Sequence, residues 1–202
     1  GSSAADFIVG DSNKNTLYGN AGSDSLYGGA DNDELYGGDN DDKLRGGAGD
    51  DLLSGGSGND TADYSDATED LIVDITDGEH NISTSQGKDT FSSIEGVIGG
   101  TGNDKLIGNT KANSLVGNSG NDTLVGGGTT GASLGEYDYI NGGSGTDLLS
   151  YKDSTTAVTI NLGLTYDATS GDHDYYDTNL DGKVQNYQDG GAAGRIQIVN
   201  VE

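Results

Sequence analysis

Along the first third of the chain one aliphatic residue falls every nine positions, at Ile8, Leu17, Leu26, Leu35, Leu44 and Leu53, with Ala62 closing the series. Almost everything between these residues is polar or glycine. Each nonapeptide opens on glycine, from Gly1 through Gly10, Gly19, Gly28, Gly37 and Gly46 to Gly55, and its sixth position carries Asp6, Asn15, Asp24, Asp33, Asp42, Asp51 or Asp60. A helical stripe cannot be kept up at this spacing. Six residues of turn and three of strand do fit it, with the aliphatic residue facing in and its two neighbours facing out. Two nonapeptides then complete one coil, so residues 18 apart stack on the same side: Asp6, Asp24, Asp42 and Asp60 along one edge, Asn15, Asp33 and Asp51 along the other. The outward positions predict a Tyr18–Tyr36 stack on one face and a Val9, Tyr27, Arg45 row on the other.

The register returns at Gly99, Gly108, Gly117, Gly126 and Gly142. Asp104, Asn113, Asp122, Asp138 and Asp147 are sixth, and Leu106, Leu115, Leu124, Ile140 and Leu149 eighth. Ile107, Val116 and Val125 occupy the ninth position. Sixteen residues rather than nine separate Gly126 from Gly142. The organisation expected is a first repeat block at 1–63, a β-strand linker at 64–98, a second block at 99–150 with an insertion at 128–137, and a second linker or cap at 151–202. The two linkers match. Tyr64-Ser65-Asp66 and Tyr151-Lys152-Asp153 each follow a block, the alternating strands 71–75 and 158–162 come next, and short apolar strands end on Glu95 and Glu202. Because the first linker leads on into another block, the chain reads as a segment of a longer array.

Exceptions fall together. Fourth-position residues include Gly22, Gly49, Gly58, Gly102, Gly120 and Gly145, with Asp31 and Asn40 as substitutes able to tolerate positive φ. In the two turns with Asn at the sixth position the fourth residue is instead Asn13 or Lys111. Those turns predict weak or empty metal half-sites at Asn15 and Asn113.

Composition sharpens the problem this pattern poses. Leu, Ile, Val and Phe make about 38 of 202 residues, roughly 19%, and 34 acidic against 9 basic residues give a formal charge of −25. Such a chain ordinarily stays disordered. No apolar run approaches a membrane span, and so acidic a surface repels phosphate backbones, which leaves membrane spanning and nucleic-acid binding as poor readings. The chain has no Cys, hence no disulfide, thiol nucleophile or thiolate metal site. Stacked strands lie about 4.8 Å apart, where two carboxylates repel by about 3 to 4 kcal/mol at an effective dielectric near 20. A ladder of them needs a neutraliser, and a hard dication binding carboxylate and carbonyl oxygens, Ca²⁺ rather than Mg²⁺, is the natural one.

The repeat is the pattern GGxGxDxUx, which Gly46-Gly47-Ala48-Gly49-Asp50-Asp51-Leu52-Leu53-Ser54 matches at every defined position. The sequence resembles the RTX (haemolysin-type calcium-binding) family. That resemblance implies an all-β, right-handed parallel β-roll, or β-solenoid, with two β-strand linker or capping segments. It also implies several calcium ions, roughly eight or nine, held at Asp6, Asp24, Asp33, Asp42, Asp51, Asp60, Asp104, Asp122, Asp138 and Asp147. Folding would follow metal binding, because the sites do not exist in the unfolded chain.

A further candidate lies in the second linker. Asp177-Thr178-Asn179-Leu180-Asp181-Gly182-Lys183 matches the first half of an EF-hand loop, with oxygen ligands from Asp177, Asn179 and Asp181, a glycine turn and the Lys183 carbonyl. Gln188 replaces the bidentate glutamate, so 177–188 reads as an isolated structural Ca²⁺ site, against the alternative of a solvated acidic loop. Catalysis finds no support. Gly131-Ala132-Ser133-Leu134-Gly135 fits GxSxG but sits in a repeat insertion rather than a strand–helix elbow, and His80 and His173 lack zinc-site partners. The family resemblance implies a bacterial protein exported by type I secretion to the medium or cell surface. The reading expected is a monomeric, non-enzymatic folding and spacer module of a large adhesin. Alternatives are an accessory module of a secreted alginate epimerase, protease or lipase, and polysaccharide recognition by the outward tyrosines.

Overall fold

The computed structural model describes residues 1–76, 78–83, 85–126, 138–150 and 195–199; for 78–83 and 195–199 it describes the backbone alone. Among these there is no helix, and nearly every strand pairs in parallel. The chain is an all-β parallel β-roll.

One sheet has seven strands and runs through both blocks, in the order Phe7–Val9, Ser25–Ala30, Lys43–Ala48, Thr61–Asp63, Gly96–Ile98, Ser114–Val116, Tyr139–Asn141. The opposite side is divided in two. Thr16–Ala21, Glu34–Asp39, Leu52–Ser57, Gly87–Ser92 and Gly78–Ser83 form one five-stranded sheet, while Ile72–Asp74, Lys105–Ile107, Thr123–Val125, Thr146–Ser150 and Arg195–Val199 form the other. The first linker makes this change: Gly78–Ser83 pairs antiparallel with Gly87–Ser92 and closes the second sheet, and Ile72–Asp74 opens the third. Sequence periodicity gave no sign of that hairpin. An antiparallel partner covers the row of unpaired N–H and C=O groups that a parallel edge would expose.

Register follows the 18-residue coil. Leu26 lies beside Leu44, Leu35 beside Leu53, and Leu106 beside Leu124. The eighth-position residues Leu26, Leu35, Leu44, Leu53, Ala62, Leu106, Leu115, Leu124 and Leu149 are buried in one continuous core, joined at the linker by Tyr64, Val73, Phe91, Ile94 and Val97. Ile8, Leu17 and Ile140 are only partly buried. The five inner strands of the first block, from Thr16–Ala21 to Leu52–Ser57, are six residues long rather than the three expected: pairing resumes after the opening glycine, as in Asn20 beside Gly38 and Ala21 beside Asp39.

The outward rows are as the pattern predicts. Tyr18 and Tyr36 stack with centroids 5.0 Å apart at 9°. Val9, Tyr27 and Arg45 are in register, and the Arg45 guanidinium lies 5.1 Å from the Tyr27 centroid. Ile107 and Val125 pair on one sheet, whereas Val116 lies on another. The insertion 128–137 and the second linker, apart from the backbone of 195–199, lie outside the described residues.

Candidate metal centre

Each sixth-position residue stands at the foot of the short strand that carries the aliphatic core residue two places on, in most repeats immediately before its first residue. Period-two alternation therefore turns its side chain into the end of the roll, beneath the turn. Asp24, Asp33, Asp42, Asp51, Asp60, Asp104, Asp122 and Asp147 are all 2% exposed or less. Asp6 and Asp138 are half-buried.

One carboxylate oxygen in each has a fixed partner. The N–H of Asp6 donates to Oδ1 of Asp24 (2.7 Å), that of Asp24 to Asp42 (2.8 Å), and that of Asp42 to Asp60 (2.8 Å). Along the other edge Asn15 donates to Asp33 and Asp33 to Asp51, both at 2.7 Å. In the second block the N–H of Leu71 reaches Asp104, Asp104 reaches Asp122, and Asp122 reaches Asp147, at 2.8 to 3.0 Å, while Asn113 donates to Asp138 at 2.9 Å. The structure thus gathers the candidate aspartates into columns.

The second oxygen is different. Oδ2 of Asp24, Asp33, Asp42, Asp51, Asp60, Asp122 and Asp147 is buried and meets no hydrogen-bond donor. Such a group costs about 1 to 3 kcal/mol if left bare, and more when charged. Each lies against the opening glycine of its own repeat. A Cβ on Gly19 would strike Asp24 Oδ2 and the Gly37 carbonyl, and one on Gly28 would strike Asp33 Oδ2 and the Gly46 carbonyl. A side chain there would fill the space that faces the bare oxygen. Among the described residues no three His, Cys, Asp or Glu side chains cluster as a metal site. The donors available to a cation are accordingly single carboxylates with backbone carbonyls, a hard-oxygen set that suits Ca²⁺.

Electrostatics agree with that need. Burial pushes the carboxyls of Asp51, Asp60 and Asp122 up to about 6, and raises those of Asp33, Asp42, Asp104 and Asp147. Asp6 is held low, chiefly by the N–H of Ser2. Asp104 also departs from the columns' rule, since its Oδ2 accepts the N–H of Gly100 (2.8 Å).

The turns explain the coupled exceptions. Asp31 and Asn40 adopt φ of 68° and 78°, so they close as glycine would. In the asparagine turns a different closure appears. Asp11 Oδ1 accepts the N–H of Asn13 and the amide of Asn15, and Asn109 Oδ1 accepts the N–H of Lys111 and the amide of Asn113. The Asn15 oxygen is taken by the N–H of Asp11 (2.7 Å), whereas Asn113 Oδ1 is buried and unpartnered. These two positions, alike in sequence, are therefore unlike in chemistry.

Sequence reading missed two column members. Asp89 accepts the N–H of Asp51 (3.0 Å), and Glu95 accepts that of Asp60 (3.1 Å), so the columns continue into the linker. Their signal was present without the glycine frame: an acid two places before an apolar residue, in Asp89-Thr90-Phe91 and Glu95-Gly96-Val97. A second ladder also went unread. Fifth-position Asn32, Asp41, Asp50, Asn103 and Asn121 accept the N–H of the fifth-position residue one coil on, or of Lys88 beyond Asp50. Asp177, Asn179, Asp181 and Lys183 lie outside the described residues, as do His173 and the GxSxG segment.

A family profile described as the RTX calcium-binding nonapeptide repeat matches in four copies, at residues 1–35, 27–62, 98–129 and 135–151, together more than half of the chain. No curated protein matches it.

Proposed function

The chain belongs to the RTX calcium-binding nonapeptide-repeat family, whose repeats are structural rather than catalytic modules, and from that premise we propose that it is a calcium-folded spacer segment of a large bacterial surface adhesin. The single observation that carries the reading is the series of buried, donorless Oδ2 atoms, each beside a glycine. Calcium, when bound, supplies the positive charge these oxygens lack. The residues assigned to it are Asp6, Asp24, Asp42 and Asp60 on one edge, Asp33 and Asp51 on the other, and Asp104, Asp122, Asp138 and Asp147 in the second block. Roughly eight or nine ions are expected, with one at Asp177, Asn179, Asp181 and the Lys183 carbonyl.

The chain's own groups do the rest. In Asp24, Asp33, Asp42, Asp51, Asp60, Asp122 and Asp147, Oδ1 accepts a backbone N–H and so fixes the carboxylate, while Oδ2 is buried with no protein donor. Without a cation the columns are rows of buried like charges, so the metal-free chain loses its fold, and metal binding becomes folding free energy. In a bacterium that keeps cytosolic calcium low, such a chain crosses the envelope unfolded and sets outside, where millimolar calcium occupies weak sites. RTX repeats are typical of secreted bacterial proteins.

One core and one seven-stranded sheet through both blocks support a spacer role, in which the blocks 1–63 and 99–150 and the linker 64–98 between them act as a single stack. The deciding experiment is a calcium titration that follows far-ultraviolet circular dichroism and bound ions together. Fold and ion count should rise in step; a compact, protease-resistant chain in chelator refutes the reading.

A further inference from the structure

We infer that the junction between the two blocks is closed by the chain's own donors, so that it splits the calcium columns into two arrays and keeps its fold at calcium levels that empty them. This rests on the reading that the bare Oδ2 atoms are calcium ligands.

Three buried carboxylates lie at the junction, and none has a bare oxygen. Asp89 continues the column of Asp33 and Asp51 and is wholly buried. Its Oδ1 accepts the N–H of Asp51 at 3.0 Å, and its Oδ2, the atom left donorless elsewhere, accepts the hydroxyl of buried Tyr64 at 2.6 Å. Glu95 continues the column of Asp24, Asp42 and Asp60: Oε2 accepts the N–H of Asp60, and Oε1 meets the Lys111 ammonium at 2.6 Å. Asp63, fully buried, is paired with Lys43 (3.0 Å) and Arg45 and accepts the N–H of Ser65 (3.0 Å).

The placement of cations makes the contrast sharper. Lys43, Arg45 and Lys111 are three of only nine basic residues, and all three converge on these carboxylates. Lys111 holds the fourth position of its turn, where Gly102 and Gly120 stand in the neighbouring repeats, which gives that exception a role: an ammonium carried by the chain faces the column where a bound ion would otherwise be needed. At Asp89 the Tyr64 hydroxyl occupies the corresponding oxygen as a neutral donor, without adding charge. A hydrogen bond or ion pair already made within the fold does not depend on the calcium concentration, so this stretch leaves no carboxylate oxygen for the metal to partner. In a stack whose stability is summed over neighbouring units, such a stretch is the last to open.

The test follows amide hydrogen exchange of the full chain as calcium is withdrawn with graded chelator, and counts calcium per chain by native mass spectrometry. Amides of 61–64 and 89–98 should keep their protection at calcium levels where 34–57, 123–125 and 139–149 have lost theirs. Asp89→Asn should keep the wild-type ion count, whereas Asp42→Asn loses an ion. A central position alone could delay opening, so Tyr64→Phe separates the causes: it bares Asp89 Oδ2 and should move exchange of 89–92 to the calcium midpoint of the flanking strands. Junction amides released together with the blocks, an ion lost in Asp89→Asn, or wild-type exchange in Tyr64→Phe each overturns the inference. Should Asp89→Asn fail to fold, Tyr64→Phe still decides. A wild-type chain that binds no calcium refutes the proposed function itself, while calcium binding with the junction opening in step refutes only this inference.

Discussion

The backbone N–H of Asp33 donates to Oδ1 of Asp51 at 2.7 Å, while Oδ2 of the same Asp51 carboxylate, equally buried, meets no donor at all. Half of the group is therefore used to join one coil to the next, and half is left for a ligand. A mutation that changes charge without shape distinguishes the two halves.

Asp33→Asn keeps an oxygen for the N–H of Asn15 but removes the charge, and should raise the calcium midpoint of folding several-fold. Asn15→Ala should raise it less, because the Asn15 oxygen already accepts the N–H of Asp11. Circular dichroism against free calcium measures both, and the opposite ranking contradicts the assignment.

Calcium should restore β-structure to a metal-depleted sample at a few millimolar, and magnesium at the same concentration should not. The donors are fixed backbone and carboxylate oxygens spread over two coils, which a small ion with strict octahedral demands fits poorly. Equal recovery with both ions, read in the far ultraviolet, removes the case for a calcium site.

Acid should partly replace the metal. Burial raises the folded-state carboxyls of Asp51, Asp60 and Asp122 to about 6, above the ordinary value of 3.8. A group shifted upward stabilises the fold fully below its unfolded pKa, and that contribution is lost as pH rises through the folded value. Metal-free chain brought from about pH 7.5 to about pH 5 should therefore gain β signal, and the increment added by calcium should shrink. A metal-free spectrum indifferent to pH over that window counts against it.

Arg45→Ala should cost on the order of 3 kcal/mol in urea denaturation at saturating calcium, since it leaves buried Asp63 with Lys43 as its one remaining cation. Burial alone pushes the Asp63 carboxyl up, but hydrogen bonds from Arg45, Ser65 and Lys43 outweigh it and hold the group low. An Arg45→Ala variant as stable as wild type shows that the pair does not anchor the linker.

Much of this architecture was legible in the sequence because the repeat writes the same instruction many times. Leu26, Leu35, Leu44 and Leu53 announced a core by period, and Asp24, Asp33, Asp42 and Asp51 announced columns by the same count. The hairpin of Gly78–Ser83 with Gly87–Ser92 was not legible, since it occurs once among the described residues and its turn lacks a strong dipeptide signal. Asp89 and Glu95 escaped for a related reason: they sit in the columns but outside the glycine frame that made their neighbours conspicuous. Nor could spacing separate Asn15 from Asn113, because the difference lies in whether a neighbouring N–H reaches the amide oxygen.

The two ladders of side-chain acceptors run in opposite senses. At the sixth position the earlier coil donates to the later, as Asp24 does to Asp42, and at the fifth the later donates to the earlier, as Asp50 does to Asn32. Any exposed end of the stack consequently offers its newcomer one empty donor and one empty acceptor. Growth has no preferred direction: an assembling chain can zip toward its head or its tail from wherever it first took hold.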